Sequence, residues 1–234
     1  MNLWASALEL LFPRKCPFCQ AVLEEPEAPL CFACQPKLPW LTGRAGERKV
    51  DFTEGCCSPL AYRDEVPEAV RRYKFAGVRA YGRPFARLMA QCVRDHELGQ
   101  VDALTWAPLS QKRLRERGYD QARLLAEHMG KELDIPVLPT LVKTRHTGPQ
   151  SELEGESARR ANALNAYGLL PEAEVAGKRL LLVDDVVTSG ATLSECARVL
   201  LLSGAASVEC VTLAQARTDE KSGKNDQKIK KKNG

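Results

Sequence analysis

Residues 180–192 read "LLLVDDVVTSGAT", and most of the architecture can be inferred outward from them. Four apolar residues, Leu180 to Val183, predict a fully buried strand. Two adjacent carboxylates, Asp184 and Asp185, follow at the end of this apolar run. An ionised carboxylate is costly to bury unless a partner compensates its charge. The sequence therefore predicts a compensating group at the end of this strand.

The second half of this stretch predicts an anion-binding site. Small hydroxyl residues and Gly190 join the strand to a helix that we expect from Ala191 to Ser203. Backbone N–H groups at such a junction point to one place, at the positive end of the helix dipole. Thr192 and Glu195 also have the spacing of a capping box at the start of this helix.

A sugar phosphate would satisfy both halves of the stretch. Ligands of open α/β sheets bind at the carboxyl ends of the strands, where the two acids lie. Sugar hydroxyls or a shared Mg²⁺ can face the carboxylates while the loop holds the phosphate. We therefore expect the ligand, and not the protein, to compensate the two charges. The sequence contains no Gly-x-x-x-x-Gly-Lys motif, which argues against a P-loop NTPase.

The segments around this stretch alternate between helical and strand patterns. Alternation of this kind predicts an α/β fold with a mostly parallel sheet flanked by helices. The expected segments are a basic helical stretch over Pro67 to Val93, a strand over Val101 to Ala107, a helix from about Asp120 to Leu133, an apolar run over Val137 to Val142 and a last strand over Val208 to Ala214.

Four of the nine cysteines predict a zinc ribbon near the N-terminus. Cys16, Cys19, Cys31 and Cys34 have the spacing C-x2-C-x11-C-x2-C. Two such knuckles supply the tetrahedral thiolate set that Zn²⁺ prefers, and four thiolates leave no open position, so the site is expected to be structural. Cys56 and Cys57 are adjacent and cannot easily bind one ion together, whereas Cys92, Cys196 and Cys210 have apolar surroundings and are expected to be small core residues. None of these five receives a role.

Composition and charge set the expected domain limits and location. We expect an N-terminal helix and zinc ribbon over 1–50, a hinge within 38–58, an α/β domain over 60–217 and a disordered Lys-rich tail over 218–234. The formal net charge is only +4, so anion binding must come from local clusters. Because no apolar run approaches the ~18 residues of a membrane span, we expect no stable membrane insertion. The cysteine pairs and the absence of an export signal favour a reducing, cytoplasmic location.

Residues 180–192 resemble the 5-phosphoribosyl-1-pyrophosphate (PRPP) signature of type I phosphoribosyltransferases. The resemblance implies that Asp184 and Asp185 contact the ribose hydroxyls and that PRPP binds with Mg²⁺. It also implies that the following loop holds the 5′-phosphate. The loop residues concerned are Thr188, Ser189, Gly190, Ala191 and Thr192.

The chain as a whole resembles the ComF competence family. The resemblance rests on the four-cysteine knuckles, "YKFAG" (73–77), "APLSQKRLRERGYDQA" (107–122) and the PRPP loop. It implies a zinc ribbon joined to a phosphoribosyltransferase-like domain, with a link to natural transformation and incoming single-stranded DNA. The departures are modest, such as Asp120 where family members commonly have Asn and Ser189 where they commonly have Thr.

The loop after the strand at 101–107 is basic and lies where a phosphoribosyltransferase cradles pyrophosphate. We assign this task to Arg113 and Arg117, because guanidinium groups bind phosphate with two parallel hydrogen bonds. The same charge pattern is also typical of a solvated helix face. The polar insert 143–162, which contains His146, is either a lid over the site or a surface loop without a role.

Two functions follow from these features. The first is a PRPP-dependent phosphoribosyltransferase associated with competence and DNA uptake, with Asp184, Asp185, Arg113 and Arg117 as catalytic residues and an unassigned acceptor. The second is a non-catalytic single-stranded DNA-binding module of the competence machinery, regulated by PRPP or a nucleotide. Its DNA surface would consist of the zinc ribbon, a basic aromatic stretch and, as an option, the Lys-rich tail. The stretch contains Arg71, Arg72, Arg79, Arg83 and Arg87, interleaved with Tyr73, Phe75, Tyr81 and Phe85. The same aromatic residues could instead lie in the core of a helix packing.

Overall fold

The computed structural model of the protein describes residues 13–25, 27–75, 77–144 and 164–216. Three features anticipated from the sequence lie wholly or largely outside these ranges. They are the N-terminal helix over 3–12, most of the polar insert with His146, and the Lys-rich tail.

The described residues form short strands and helices that alternate along the α/β part of the chain. The strands are β1 (Glu47–Arg48), β2 (Cys56–Cys57), β3 (Leu60–Ala61), β4 (Ala103–Trp106), β5 (Leu141–Lys143), β6 (Tyr167–Leu169), β7 (Arg179–Val187) and β8 (Ser207–Gln215). The α-helices are α1 (Val66–Phe75), α2 (Gly82–Asp95), α3 (Gln111–Arg117), α4 (Gln121–Leu133) and α5 (Ala191–Leu202).

The main sheet is mostly parallel, which confirms the fold class predicted from the sequence. Its order is β1-β2-β8-β7-β4, and β3 also pairs with β8. Strands β2, β3 and β7 run parallel to β8, and β4 runs parallel to β7, whereas β1 is antiparallel to β2. Strands β5 and β6 form a separate antiparallel pair. The apolar run at 137–142 therefore begins with a single parallel bridge between Val137 and Leu104 of β4 and then leads into this separate pair.

Strand β7 lies between β4 and β8 and is covered on both faces. Leu181 and Val183 belong to one apolar cluster, and Leu180 and Leu182 belong to the other. Full burial of each such side chain contributes about 1.5–3 kcal/mol. Because both faces of β7 are packed, the carboxyl end of this strand has a fixed position.

The basic stretch 67–93 is two helices and not one. Helix α1 ends at Phe75, a short 3-10 turn covers Arg79–Tyr81, and α2 begins at Gly82. Gly77 has φ +65°, a left-handed backbone conformation that interrupts a right-handed helix and suits glycine.

The core includes most of the aromatic residues that were candidates for stacking on DNA bases. Tyr73, Tyr81 and Phe85 are at most 5% exposed. The Tyr73 and Phe85 rings pack edge to face with centroids 5.5 Å apart. The prediction that these three residues stack on DNA bases is therefore wrong, because their side chains belong to the apolar cluster under the helices. Phe75 is the exception among the four, with 68% of its surface exposed.

Arginines of the same helices fasten the four-cysteine segment to the α/β domain. The Arg72 guanidinium donates to the carbonyl oxygens of Pro17 and Phe18, each at 2.8 Å. Arg83 and Arg87 form ion pairs with Glu27. The segment 38–58, where the sequence placed a hinge, contributes β1 and β2 to the main sheet. These arginines are therefore engaged with the protein itself.

Candidate functional site

The two aspartates of β7 lie beside a lysine from helix α1. Lys74 Nζ forms an ion pair with Asp185 Oδ1 at 2.8 Å, and the side chains are 22% and 12% exposed. The backbone N–H of Asp185 donates to Asp184 Oδ1 at 2.8 Å. The expectation that only a ligand compensates these charges is therefore wrong, because Lys74 already does so in part. In the sequence, the only indication that Lys74 belongs to the site is its position in the segment "YKFAG" (73–77).

The environment of Asp184 makes its ionisation costly. Burial and the adjacent Asp185 carboxylate raise the pKa of Asp184 to about 7 from its usual 3.8, although Lys74 opposes the shift. Desolvation disfavours the charged form of a carboxyl group, and a neighbouring like charge adds to this. A bound cation or a hydrogen-bond donor would restore the ionised form near neutral pH.

Helix α5 begins without a side-chain cap. Gly190 is its N-cap residue, with φ +79°, and provides no side-chain cap. The hydroxyl of the preceding Ser189 accepts a long hydrogen bond of 3.4 Å from the backbone N–H of Ala191. The predicted capping box of Thr192 and Glu195 is wrong, because Glu195 Oε1 accepts instead from the backbone N–H of Asn165 at 2.8 Å and from Arg198 at 2.7 Å. The start of this helix is therefore a loop of small hydroxyl residues and glycine at the positive end of the helix dipole, which is a favourable place for an anion.

Helix α3 supplies the two arginines that the sequence assigned to pyrophosphate. Arg113 Nη2 is buried and has no hydrogen-bond partner among the described residues. Arg117 donates to Gln121 Oε1 at 2.7 Å, and its guanidinium lies 4.8 Å from the Phe75 ring centre. Burial lowers the pKa of Arg117, while the charge of Asp185 opposes that shift. The structure thus brings both arginines to the aspartate end of β7.

Lys143 is a further cation of this site that the sequence interpretation did not single out. Its Nζ donates to the Tyr167 hydroxyl at 3.1 Å. Burial and the nearby Arg113 lower the pKa of Lys143, whereas Asp184 acts in the opposite direction. No short motif links Lys143 to the aspartates, because β5 joins the site through tertiary packing.

The Asp120 carboxylate is hydrogen-bonded to backbone groups at both ends of the basic segment 109–120, so it is not an unpaired charge in that segment. Its carboxylate accepts from the backbone N–H of Leu109 at 2.9 Å and of Arg123 at 3.2 Å. Burial raises the pKa of Asp120, and the two backbone donors partly offset this. The residue therefore caps α4 and ties both ends of the segment 109–120 together.

The four predicted cysteine ligands come together. The Sγ atoms of Cys16, Cys19, Cys31 and Cys34 all lie within 4.8 Å of one another. Cys19 Sγ and Cys31 Sγ are 3.5 Å apart. This arrangement can hold a metal ion, and four cysteines are the donor set of a closed tetrahedral zinc site.

No helix in the described part of the chain is both long enough and apolar enough to cross a bilayer.

Comparisons with known proteins agree with this architecture. Residues 120–233 match the phosphoribosyl transferase domain family. Competence protein F of Haemophilus influenzae is 31% identical over 227 residues, which cover 88% of this chain and 98% of that protein. DNA utilization protein YhgH of Salmonella typhimurium is 30% identical, with 83% and 81% covered. Competence protein ComFC of Bacillus subtilis is 28% identical, with 83% and 87% covered.

The relatives span nearly the whole chain, the matched domain contains both aspartates, and the four cysteines cluster as the resemblance implied. The chain belongs to the ComF competence family, and its α/β part is a type I phosphoribosyltransferase-like domain.

Proposed function

We propose that this protein binds PRPP with Mg²⁺ and transfers its phosphoribosyl group in a process linked to competence and DNA uptake. One observation carries the proposal: two acidic side chains at the end of β7, a helix N-terminus that begins at a glycine and two half-buried arginines lie near one edge of the sheet. The link to DNA uptake is supported by the names of the relatives.

Each part of PRPP has a complementary group in this site. Asp184 and Asp185 accept hydrogen bonds from the ribose hydroxyls. The backbone and hydroxyl groups of Thr188, Ser189, Gly190, Ala191 and Thr192 hold the 5′-phosphate. Arg113 and Arg117 bind the pyrophosphate, because guanidinium groups form strong charge-assisted hydrogen bonds with phosphate oxygens.

In the transfer, the bond between ribose C1 and the pyrophosphate oxygen breaks while the acceptor bonds to C1. Positive charge develops on the sugar, and Asp184 and Asp185 lie on the side where this charge is stabilised. Arg113 and Arg117 stabilise the negative charge that collects on the leaving pyrophosphate. Mg²⁺, when bound with PRPP, neutralises part of that charge, and the carboxylate oxygens at the end of β7 suit a hard cation.

The first test is a PRPP titration in the presence of Mg²⁺. Asp185→Asn should weaken binding about 100-fold, since two hydrogen bonds to a charged acceptor contribute about 1.5–3 kcal/mol each. Asp64→Asn is the matched control, because Asp64 is exposed and lies outside the site. If the wild type and Asp185→Asn bind PRPP with equal affinity, the assignment of Asp185 to the ribose hydroxyls is wrong.

The second test asks whether the bound PRPP reacts. Release of pyrophosphate is measured with a panel of nucleobases and amines as acceptors. We expect release with at least one acceptor class and none from Asp185→Asn. Tight PRPP binding without release across the panel would contradict the transferase activity while leaving PRPP binding in place.

We further propose that the four-cysteine cluster holds a structural Zn²⁺ and that the protein works in the reducing cytoplasm. All nine cysteines are free thiols, and free thiols suit a reducing compartment. Elemental analysis after gel filtration should find zinc in the wild type and less in Cys16→Ser. A folded wild type without metal would contradict the zinc assignment.

Single-stranded DNA binding remains the second candidate function. Phe75 favours this function, because its side chain is 68% exposed and its ring lies under the Arg117 guanidinium. An exposed aromatic ring can stack on a base while a neighbouring arginine binds the nucleotide backbone. The logarithm of DNA affinity should fall steeply with the logarithm of salt concentration. Phe75→Ala should weaken binding, and an unchanged affinity would remove this ring from the DNA surface.

A further inference from the structure

A second cluster of metal-binding side chains lies apart from the four cysteines. It consists of Cys57 on β2 and of Cys92 and His96 at the carboxyl end of α2. One ligand atom from each residue lies within 4.8 Å of the other two. Cys57 and Cys92 are 2% and 4% exposed. The sequence alone predicted Cys92 to be a core residue and gave Cys57 no role.

We propose that Cys57, Cys92 and His96 form a second metal site that binds Zn²⁺. Thiolate sulfur and imidazole nitrogen are preferred zinc ligands, with Zn–S about 2.3 Å and Zn–N about 2.0–2.1 Å. Tetrahedral coordination at these lengths spaces the ligand atoms by about 3.5–4 Å. Cys92 Sγ and His96 Nδ1 are 3.6 Å apart, which fits this spacing.

The helix arranges two of the three ligands. Cys92 and His96 are four residues apart, so their side chains lie on the same face of α2 one turn from each other. His96 is also the C-cap residue of α2. The carboxyl end of a helix carries a partial negative charge, and a cation placed there is stabilised.

The surroundings of His96 can orient its ring for metal binding. His96 Nε2 lies 3.2 Å from the carbonyl oxygen of Gly43, and Nδ1 lies 2.8 Å from that of Cys92. A carbonyl oxygen at 2.8 Å accepts from Nδ1–H, so metal binding at Nδ1 breaks this hydrogen bond with Cys92; the neutral ring then carries its proton on Nε2 and donates it to the Gly43 carbonyl. A zinc-bound histidine usually donates its second N–H to a carbonyl or carboxylate in this way.

A partly buried carboxylate lies near the same cluster. Glu209 on β8 interacts electrostatically with Cys57. Its Oε2 atom is buried and has no hydrogen-bond partner among the described residues. Three protein ligands leave one position of a tetrahedral zinc ion, and a carboxylate oxygen or a water can complete it. The negative charge of Glu209 would also favour a cation near Cys57.

The other buried cysteines differ from this cluster. Cys56, Cys196 and Cys210 belong to the apolar cluster that also contains Leu180 and Leu182. Among the described residues, no third group of histidine, cysteine or acidic ligands is close enough to share an ion. The proposed site joins β2, which follows the ribbon, to α2 of the phosphoribosyltransferase-like domain. Its metal would therefore fix the segment between the ribbon and this domain.

The experiment counts zinc in the purified full-length chain. The zinc that the protein carries is measured by elemental analysis, and further uptake is then followed by titrating Zn²⁺ against a chromophoric chelator under reducing conditions. The sum should be two equivalents for the wild type. It should be one for His96→Gln and one for Cys92→Ser, whereas the buried-cysteine control Cys196→Ser should retain two.

A total of one equivalent in the wild type would overturn the proposal, as would two equivalents in both His96→Gln and Cys92→Ser. Because replacement of Cys92 can disturb the core, His96→Gln provides a partly exposed alternative. Cobalt substitution of the wild type gives a second readout that needs no variant. Two absorption signatures, one from a four-thiolate site and one from a site with fewer thiolates, are expected, and a four-thiolate signature alone would contradict the proposal.

Discussion

Helices α5 and α3 both follow strands of the main sheet, but they begin differently. Helix α5 starts at Gly190 with no side-chain cap, whereas the Ser110 side chain caps α3 by accepting from the backbone N–H of Arg113. In helix α3, the Ser110 cap therefore pairs a backbone N–H of the first turn, and the groups available to an anion are the guanidinium side chains of Arg113 and Arg117. Helix α5 instead begins at a glycine that follows a loop of small hydroxyl residues. Under the proposed function, this difference predicts two kinds of phosphate site, one built from the backbone and hydroxyl groups of the α5 loop and one from guanidinium groups.

The largest effect should come from the side-chain site. Arg113→Ala should weaken PRPP and pyrophosphate binding about 100-fold, because a bidentate guanidinium forms two charge-assisted hydrogen bonds of about 1.5–3 kcal/mol each. The free energy of unfolding should stay equal or rise, since Arg113 Nη2 is buried without a partner among the described residues. Calorimetric titration and thermal unfolding measure the two quantities.

Arg115→Ala is the control for this variant, because Arg115 lies on the same helix and is exposed. It should leave PRPP affinity almost unchanged. If Arg113→Ala and Arg115→Ala weaken PRPP binding equally, the loss reflects the total positive charge of the helix, and the assignment of Arg113 as a direct phosphate ligand is wrong.

The next effect concerns the backbone site. Gly190→Ala should weaken PRPP binding about 20-fold, because an L-residue in the left-handed region costs about 1–2 kcal/mol and the strain is relieved by moving the α5 amides. The new Cβ would also meet Val50 Cγ2 at 3.4 Å. Gly177 has a similar φ of +71° and open space around it. Gly177→Ala should therefore lose comparable stability but keep its affinity for PRPP.

The pH dependence reports on Asp184, whose pKa is raised to about 7. PRPP requires the ionised carboxylate, so affinity should fall about tenfold from pH 8 to pH 6. In the free protein the sign is opposite, because the fold holds this proton more tightly than the unfolded chain does. Stability should fall as the pH rises from about 4 through 7. Asp184→Asn should abolish both trends, and a pH-dependent affinity that persists in this variant would assign it to another group.

The smallest effect should come from the cap of α3. Ser110→Ala removes the acceptor for the backbone N–H of Arg113 and should lower the free energy of unfolding by about 1 kcal/mol. Its effect on ribose 5-phosphate binding should be negligible, because the α5 loop does not depend on this cap. Chemical denaturation and a ribose 5-phosphate titration test the two statements.

The sequence was most informative where neighbouring residues make the structure. The apolar run before Asp184 predicts β7, and the small residues after it predict a helix that begins at Ala191, because both depend on local geometry. The cysteine spacing predicts the four-cysteine cluster for the same reason. In each case the relevant contacts join residues that are close in the chain or form a known ligand spacing.

The sequence was least informative where distant segments meet. Lys74 reaches Asp185 from α1, and Lys143 comes from a separate strand pair, so no spacing links them to the aspartates. The prediction of a capping box was wrong because the Glu195 carboxylate accepts hydrogen bonds from the backbone N–H of Asn165 and from the Arg198 guanidinium instead. The helical stretch predicted over 67–93 is divided into two helices, because Gly77 adopts a left-handed conformation. In these cases tertiary contacts or a single backbone conformation outweighed the local pattern.

The most direct measurement titrates two fragments of PRPP separately. Ribose 5-phosphate should test the α5 site and the aspartates, whereas pyrophosphate with Mg²⁺ should test α3. Gly190→Ala should lose affinity for ribose 5-phosphate and keep it for pyrophosphate, and Arg113→Ala should show the reverse. If each variant weakens both fragments equally, or if neither fragment binds to the wild type, the division of the ligand between a backbone site and a guanidinium site is contradicted.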